Sequence, residues 1–142
     1  MQDIIAKYLT SNLKITKLAD HAAANTTDVT SAELDMAGFD GVVFLTSFGT
    51  AAANNLVTVH AAATSGAEAA TTTTCGSGTS DEDVIVDVIN PGYRFLKLVA
   101  SRGTSSTLES IWAVQYGARA KNQSSDVSGT SNVAQAEGLT LA

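Results

Sequence analysis

Ser31-Ala32-Glu33-Leu34-Asp35-Met36-Ala37-Gly38-Phe39-Asp40-Gly41-Val42-Val43-Phe44-Leu45-Thr46-Ser47-Phe48 decides the fold of this chain. Ala32, Leu34 and Met36 alternate with polar neighbours, the period of a strand with one wet face. The Gly-flanked turn Gly38-Phe39-Asp40-Gly41 follows, and then the nearly unbroken apolar run Val42-Val43-Phe44-Leu45. Alternation, glycine punctuation and a β-branched, aromatic run spell two antiparallel strands.

Working outward, further strand candidates recur at regular intervals: 30–37, 41–48, 56–63, 68–75, 83–90, 93–101 and 107–118. Turn-forming residues separate them. Asn54-Asn55 tolerates left-handed backbone, Thr64-Ser65-Gly66 and Gly76-Ser77-Gly78 read as loops, and Asn90-Pro91-Gly92 as a tight turn. Short strands at this spacing predict an antiparallel β-sandwich or barrel. Val84-Ile85-Val86-Asp87-Val88-Ile89 is β-branched almost throughout, as expected of a strand packed on both faces. The four threonines at 71–74 suit an edge strand. In 93–101 the odd and even residues compete for the inward face. Phe39, Tyr93, Trp112 and Tyr116 are read as core and rim, because few large side chains are available to fill the interior.

The flanks read differently. Residues 2–10 place Ile4, Ile5, Tyr8 and Leu9 on one face of a short amphipathic helix. Leu13, Ile15 and Leu18 fit helix and strand equally well. Beyond Arg119 the pattern stops, leaving isolated Val127 and Val133 and, at the end, Leu139 and Leu141. The expected organisation is an N-terminal arm or short helix over 1–28, a sandwich over 29–119 and an extended C-terminal arm over 120–142. A coreless arm needs a neighbour to lie against, so Ile4, Ile5, Tyr8, Leu9, Val127, Val133, Leu139 and Leu141 are the candidate protein-interface residues.

Composition narrows function. Charged residues are 15% of the 142, against about 25% in an ordinary soluble domain, so part of the surface is expected to be covered by other subunits. Lys and Arg total 8 against 14 Asp and Glu, a formal charge of −6, which disfavours nucleic acid and anionic membranes. Met1-Gln2-Asp3 lacks the basic start of a secretory signal and no apolar run approaches 18 residues, so neither a signal peptide nor a membrane span is expected.

Chemistry is hard to find. Cys75 stands alone and reads as a small hydrophobe; with only His21 and His60 it cannot assemble a zinc site. Asp81-Glu82-Asp83 fits a solvated acidic turn better than a calcium loop, since EF-hand spacing is absent. Gly76-Ser77-Gly78-Thr79-Ser80-Asp81 opens like a phosphate loop but lacks the lysine. No Gly-x-Ser-x-Gly elbow occurs. No enzyme, no cofactor and no metal are expected.

Three segments resemble one family. Asp35-Met36-Ala37-Gly38-Phe39-Asp40-Gly41-Val42-Val43-Phe44 is similar to the D-x-x-G-[FY]-x-G-[VA]-x-F hairpin that opens small tailed-bacteriophage capsid decoration (cement) proteins. Val86-Asp87-Val88 with Pro91-Gly92-Tyr93-Arg94-Phe95-Leu96-Lys97 resembles their turn into an aromatic-basic strand. Val114-Gln115-Tyr116-Gly117-Ala118-Arg119 resembles their closing strand. The likeness spans about residues 29–120. It implies a jelly-roll-like sandwich on the outer surface of a virion capsid, binding the major capsid protein and copies of itself, with dimers favoured over trimers. Another virion component (head–tail or tail-associated) and a carbohydrate-binding sandwich for host attachment are the alternatives.

Overall fold

The computed structural model describes residues 13–75 and 83–118, with the backbone alone over 72–75. Every regular element in that range is a strand: β1 Lys14–Ala19, β2 Ala22–Asn25, β3 Val29–Thr30, β4 Leu34–Asp35, β5 Gly41–Ser47, β6 Leu56–Ala62, β7 Ala69–Cys75, β8 Asp83–Ile89, β9 Phe95–Ser101, β10 Ser106–Leu108 and β11 Ile111–Tyr116. One antiparallel sheet has the order β1-β11-β5-β8; a second runs β3-β9-β6-β7, with β4 also pairing β9. The chain crosses between the sheets four times before β8 and closes by laying β11 between β1 and β5. That connectivity is the jelly roll, with β3 and β4 as two halves of one strand position. The all-β sandwich expected from spacing is therefore the fold, and among the described residues only the β2–β10 pair lies outside its two sheets.

Alternation fills the space between the sheets. Val42 and Phe44 of β5, Val84 and Val86 of β8, and Ile111 and Ala113 of β11 point inward from the first sheet. They meet Val57 and Val59 of β6 and Leu96, Leu98 and Ala100 of β9 in one continuous core. In 93–101 the even residues won the interior because Leu96 and Leu98 carry more apolar volume than the competing Lys97 and Val99 could bury without cost. β10 pairs with β2 as a small flap, tied to β5 by a Phe48–Leu108 bridge.

Three expectations need correction. The sandwich starts at Lys14, not Val29: β1 pairs with β11 and Leu18 is buried in the core, so residues 14–28 are not an arm. The sequence Lys-Ile-Thr-Lys-Leu-Ala hid this because its apolar residues fit either period, and only pairing with β11 decides. Second, β8 is not packed on both faces. It borders the first sheet, with Val84 and Val86 inside and Ile85 and Ile89 67% and 68% exposed. Third, Trp112 is not core; it stands on the outer face opposite Leu45, because its neighbours Ile111 and Ala113 point inward. Of the four aromatics read as core and rim, Phe39 alone joins the core. The helix expected over 2–10 and the arm over 120–142 lie outside the described residues.

One polar group is built into the flap. Arg102, 7% exposed, donates from Nε to the Thr27 carbonyl at 2.8 Å and from Nη1 to the carbonyls of Ala23 at 2.6 Å and Ser106 at 3.0 Å. Its rigid fork thus joins β2, the β2–β3 turn and β10. Asn25 Oδ1 shapes that turn by accepting from the backbone N–H of Thr26 and Thr27.

Candidate interaction surface

The three segments that carry the family likeness lie far apart in sequence and meet at one end of the sandwich. Register dictates the meeting. In the first sheet Tyr116 lies opposite Gly41, and Gly41 opposite Ile89, so the ends of β11 and β8 and the start of β5 share one level. The turns that follow or precede them are then stitched by main-chain bonds: Asp40 N–H to the Tyr116 carbonyl at 3.0 Å and Asn90 N–H to the Asp40 carbonyl at 2.8 Å. Met36 N–H donates to the Arg94 carbonyl at 2.7 Å.

Side chains complete the pole. Arg94 binds Asp35 bidentately, Nε to Oδ1 at 3.0 Å and Nη2 to Oδ2 at 2.9 Å, while its guanidinium carbon sits 5.0 Å from the Phe95 ring centroid. The Arg94 bond, helped by the Ala37 N–H, holds the Asp35 carboxyl below the usual carboxylate range despite some desolvation. Gln115 is fully buried and donates to the Asp35 carbonyl at 2.9 Å, securing β4 from beneath. Tyr116 lies across Gly41, where a Cβ would collide with its ring, and donates its hydroxyl to Asp87 at 2.7 Å. That bond, with burial and the charges of Asp87 and Asp40, pushes the phenol above its ordinary value. Gly117 adopts φ +66° against the Asp40 side chain, a close approach in a left-handed conformation that a side chain would strain.

Between the β4–β5 and β8–β9 turns opens a cleft of about 440 Å³, lined by Met36–Asp40 and Asn90–Arg94. Its walls mix apolar and polar groups, and Tyr93, 51% exposed, is its large exposed aromatic. Asn90 at φ 46° and Gly92 at φ 72° make the reversal that brings Tyr93 to the rim. The same pole is where the described chain enters and leaves. Lys14 pairs with Gln115, so the backbone preceding β1 and the backbone following β11 emerge side by side.

The broad outer face of the first sheet is the other exposed surface of note. Lys17, Trp112, Leu45 and Ile85 form one cross-strand row; Ile15, Val114, Val43 and Asp87 form the next. Lys17 lays its stem over this face and bonds Asp20 at 2.6 Å. The second sheet is more polar outside: Lys97 pairs with Glu68 at 2.9 Å, and Glu33 accepts from Ser65 Oγ at 2.8 Å and from Gly66 N–H at 2.8 Å. The hydrogen bond with Glu33 and then that with Lys97 lower Glu68 to about 2.

The interface residues read from the sequence, Ile4, Ile5, Tyr8, Leu9, Val127, Val133, Leu139 and Leu141, all lie outside the described residues. The residues sequence reasoning missed are Asp35, Arg94 and Tyr93 acting together. Each sits in a quoted motif, yet the pairing over 59 positions of Asp35 with Arg94 has no sequence signature. His21 meets Glu109 at 3.4 Å and His60 stands on β6, well separated in the chain's topology. Among the described residues no three or more His, Cys, Asp or Glu side chains gather as metal ligands.

No protein-family model matches the chain, and no curated protein matches it significantly. Among solved structures it is similar to the SPBc2 prophage-derived protein YomS, with 14% identity and a TM-score of 0.45, covering 72% of this chain and 93% of that one. It is also similar to a chain from Bacillus endospore appendages, described as forming a novel family of disulfide-linked pili, with 9% identity and a TM-score of 0.44, covering 82% and 95%. Similarity at this level does not bear on function.

Proposed function

We propose that this protein is a non-catalytic structural component of a bacteriophage virion that decorates the outer capsid surface. It would bind the major capsid protein through the pole described above and associate with further copies of itself. The observation that carries the reading is the convergence at one pole of three motif segments, a cleft of about 440 Å³ and both ends of the described chain. A docking end of this kind combines a pre-formed concavity, held by the Asp35–Arg94 clamp, with chain segments able to reach a neighbour. On this reading the C-terminal arm, residues 120–142, would supply Val127, Val133, Leu139 and Leu141 as contacts with a neighbouring subunit. Many weak contacts of this sort, repeated over a lattice, add up without a cofactor.

The test uses heads purified with and without the protein. Added protein is expected to co-sediment with depleted heads and restore their resistance to heat, whereas a chain ending at Ala118 folds but binds weakly. Heads that never contain the protein, or that resist heat equally without it, overturn the reading. Copy number separates decoration from a tail role: hundreds per particle against roughly a dozen or fewer.

A further inference from the structure

The outer face of the β1-β11-β5-β8 sheet has the anatomy of an interface. Six of the eight side chains in its two central cross-strand rows are apolar: Trp112, Leu45 and Ile85 in one row, Ile15, Val114 and Val43 in the other. The remaining two are charged and stand at opposite borders, Lys17 on β1 and Asp87 on β8. Leu45 is 37% exposed, Ile85 67% and Ile89, one row nearer the pole, 68%. An apolar centre with charge confined to the rim is the composition of a homodimer interface. We infer that two copies of the chain pack here, sheet on sheet, about a two-fold axis running roughly along the strands.

Charge selects both the occupant and the axis. Val84 and Val86 point inward, so β8 turns Asp83, Ile85 and Asp87 outward and its border is acidic on either side of Ile85. Lys17 is the cation of the β1 border. Facing sheets pack about 10 Å apart with their strands within about 30° of each other. An axis along the strands lays β1 of each copy over β8 of the other, so Lys17 arrives between Asp83 and Asp87 at both borders. The same axis sets Leu45 over Trp112. An axis across the strands would lay β8 over β8 and confront the acidic borders. A face that carries its own counter-charge at the opposite border is self-complementary, as a two-fold interface requires, and its match is a second copy. Bonds within the chain leave room for this. Lys17 reaches Asp20 at 2.6 Å, Ser47 donates to Asp83 at 2.8 Å and Tyr116 to Asp87 at 2.7 Å, while an ammonium has three donors and a carboxylate about four acceptor sites.

Area sets the strength. Four strands, each about 4.8 Å wide and about 20 Å long, give roughly 400 Å² of face per copy, or roughly 800 Å² for the pair before side-chain relief is counted. Stable complexes bury about 1,200–2,000 Å². The dimer is therefore weak, in the micromolar range. The formal charge of −6 on each copy opposes association, but physiological salt screens charges more than about 8 Å apart, whereas the border pairs meet at contact. This gives the self-association proposed above its surface and to that extent rests on that reading, although the dimer needs no capsid to form.

Sedimentation velocity of the full chain tests it. Unaltered protein should pass from monomer to dimer over roughly 1–300 µM. Leu45→Glu sets a carboxylate on Trp112 of the other copy and should leave a monomer throughout, with the melting temperature of dilute protein unchanged. Lys17→Asp, and separately Asp83→Lys with Asp87→Lys, put like charges together at both borders and should weaken the dimer about tenfold or more. Mixed one to one, these two proteins regain opposite charges at both borders and should pair as tightly as the unaltered chain. A monomer at every concentration overturns the inference, and so does a dimer that survives Leu45→Glu. A mixture that stays monomeric refutes the axis along the strands. Where the lysine variant fails to fold, the Leu45→Glu result decides alone. Leu45→Glu monomers should still co-sediment with depleted heads through the pole, so heads that do not bind the unaltered protein count against the capsid reading and leave the dimer standing.

Discussion

Arg102 offers the sharpest test of how the flap is held. Replacing it with methionine keeps most of the stem's volume and removes three charge-assisted hydrogen bonds to the carbonyls of Thr27, Ala23 and Ser106. The three losses are unequal. Ala23 and Thr27 are exposed, so water replaces the guanidinium there and each bond lost costs about 1 kcal/mol. Ser106 is 0% exposed, and a carbonyl left dry costs about 1–3 kcal/mol. Arg102→Met should therefore destabilise the sandwich by about 3–5 kcal/mol. At about 4 °C for each kcal/mol in a domain of this size, the melting temperature falls by roughly 15 °C. Arg102→Lys keeps the charge but loses the fork, and should recover less than half of the loss. Thermal and urea unfolding of the three proteins measure it. A loss under 1 kcal/mol for methionine, or full recovery by lysine, refutes the argument that fork geometry joins β2 to β10.

Further outcomes follow from the same structure. Leu98→Ala, at a fully buried position, should cost about 3–4 kcal/mol, and Trp112→Ala on the outer face about 1–2 kcal/mol; a reversed order in urea melts would put the tryptophan back in the core. Gly41→Ala should cost about 1–2 kcal/mol by driving the Tyr116 ring off the backbone, and combining it with Tyr116→Ala should cost less than the sum; additive losses would show no collision. Glu68 titrates near 2 in the folded chain and near 4.3 unfolded. Its contribution to stability is present above about pH 4 and lost as the pH falls toward 2; a carbon-detected NMR titration with a midpoint above 4 would contradict this. Asp35, likewise lowered, stabilises the pole at neutral pH and ceases to on acidification, so Asp35→Asn should flatten that part of the acid unfolding curve.

How far the chain could be read in advance depended on which interactions set each element. The strands from β5 to β9 were legible because alternation and turn residues act locally: 41–48, 56–63, 68–75 and 83–90 were expected, and β5, β6, β7 and β8 each fall within one of them. β1 was not, since Lys14 to Ala19 becomes a strand only by pairing with β11 almost a hundred residues later. The 107–118 run was read as one strand but breaks at Glu109, whose N–H turns to the Ser47 carbonyl. Val84–Ile89 shows a limit of composition: β-branched residues favour a pleated strand equally at a border and in the middle of a sheet. The pole was half legible. Its glycines and its Asn-Pro-Gly turn announced themselves, whereas the partnership of Asp35 with Arg94 and the burial of Gln115 depend on sheet order, which spacing alone does not encode.

The pairing of Lys14 with Gln115 has one more implication. Backbones that enter and leave on neighbouring strands, about 5 Å apart, could be joined by a few residues without disturbing a single ladder bond. The jelly roll is topologically close to a ring, opened at a place set by genetics and not by packing. A circularly permuted chain, cut at the exposed Ser65-Gly66 turn and spliced between Ala118 and Leu13, should rebuild the same core. It would also move both free ends from the first sheet to the β6–β7 turn of the second, where Ala62 pairs with Phe95 at this same end, so the pole would keep its cleft with its tethers on the other sheet.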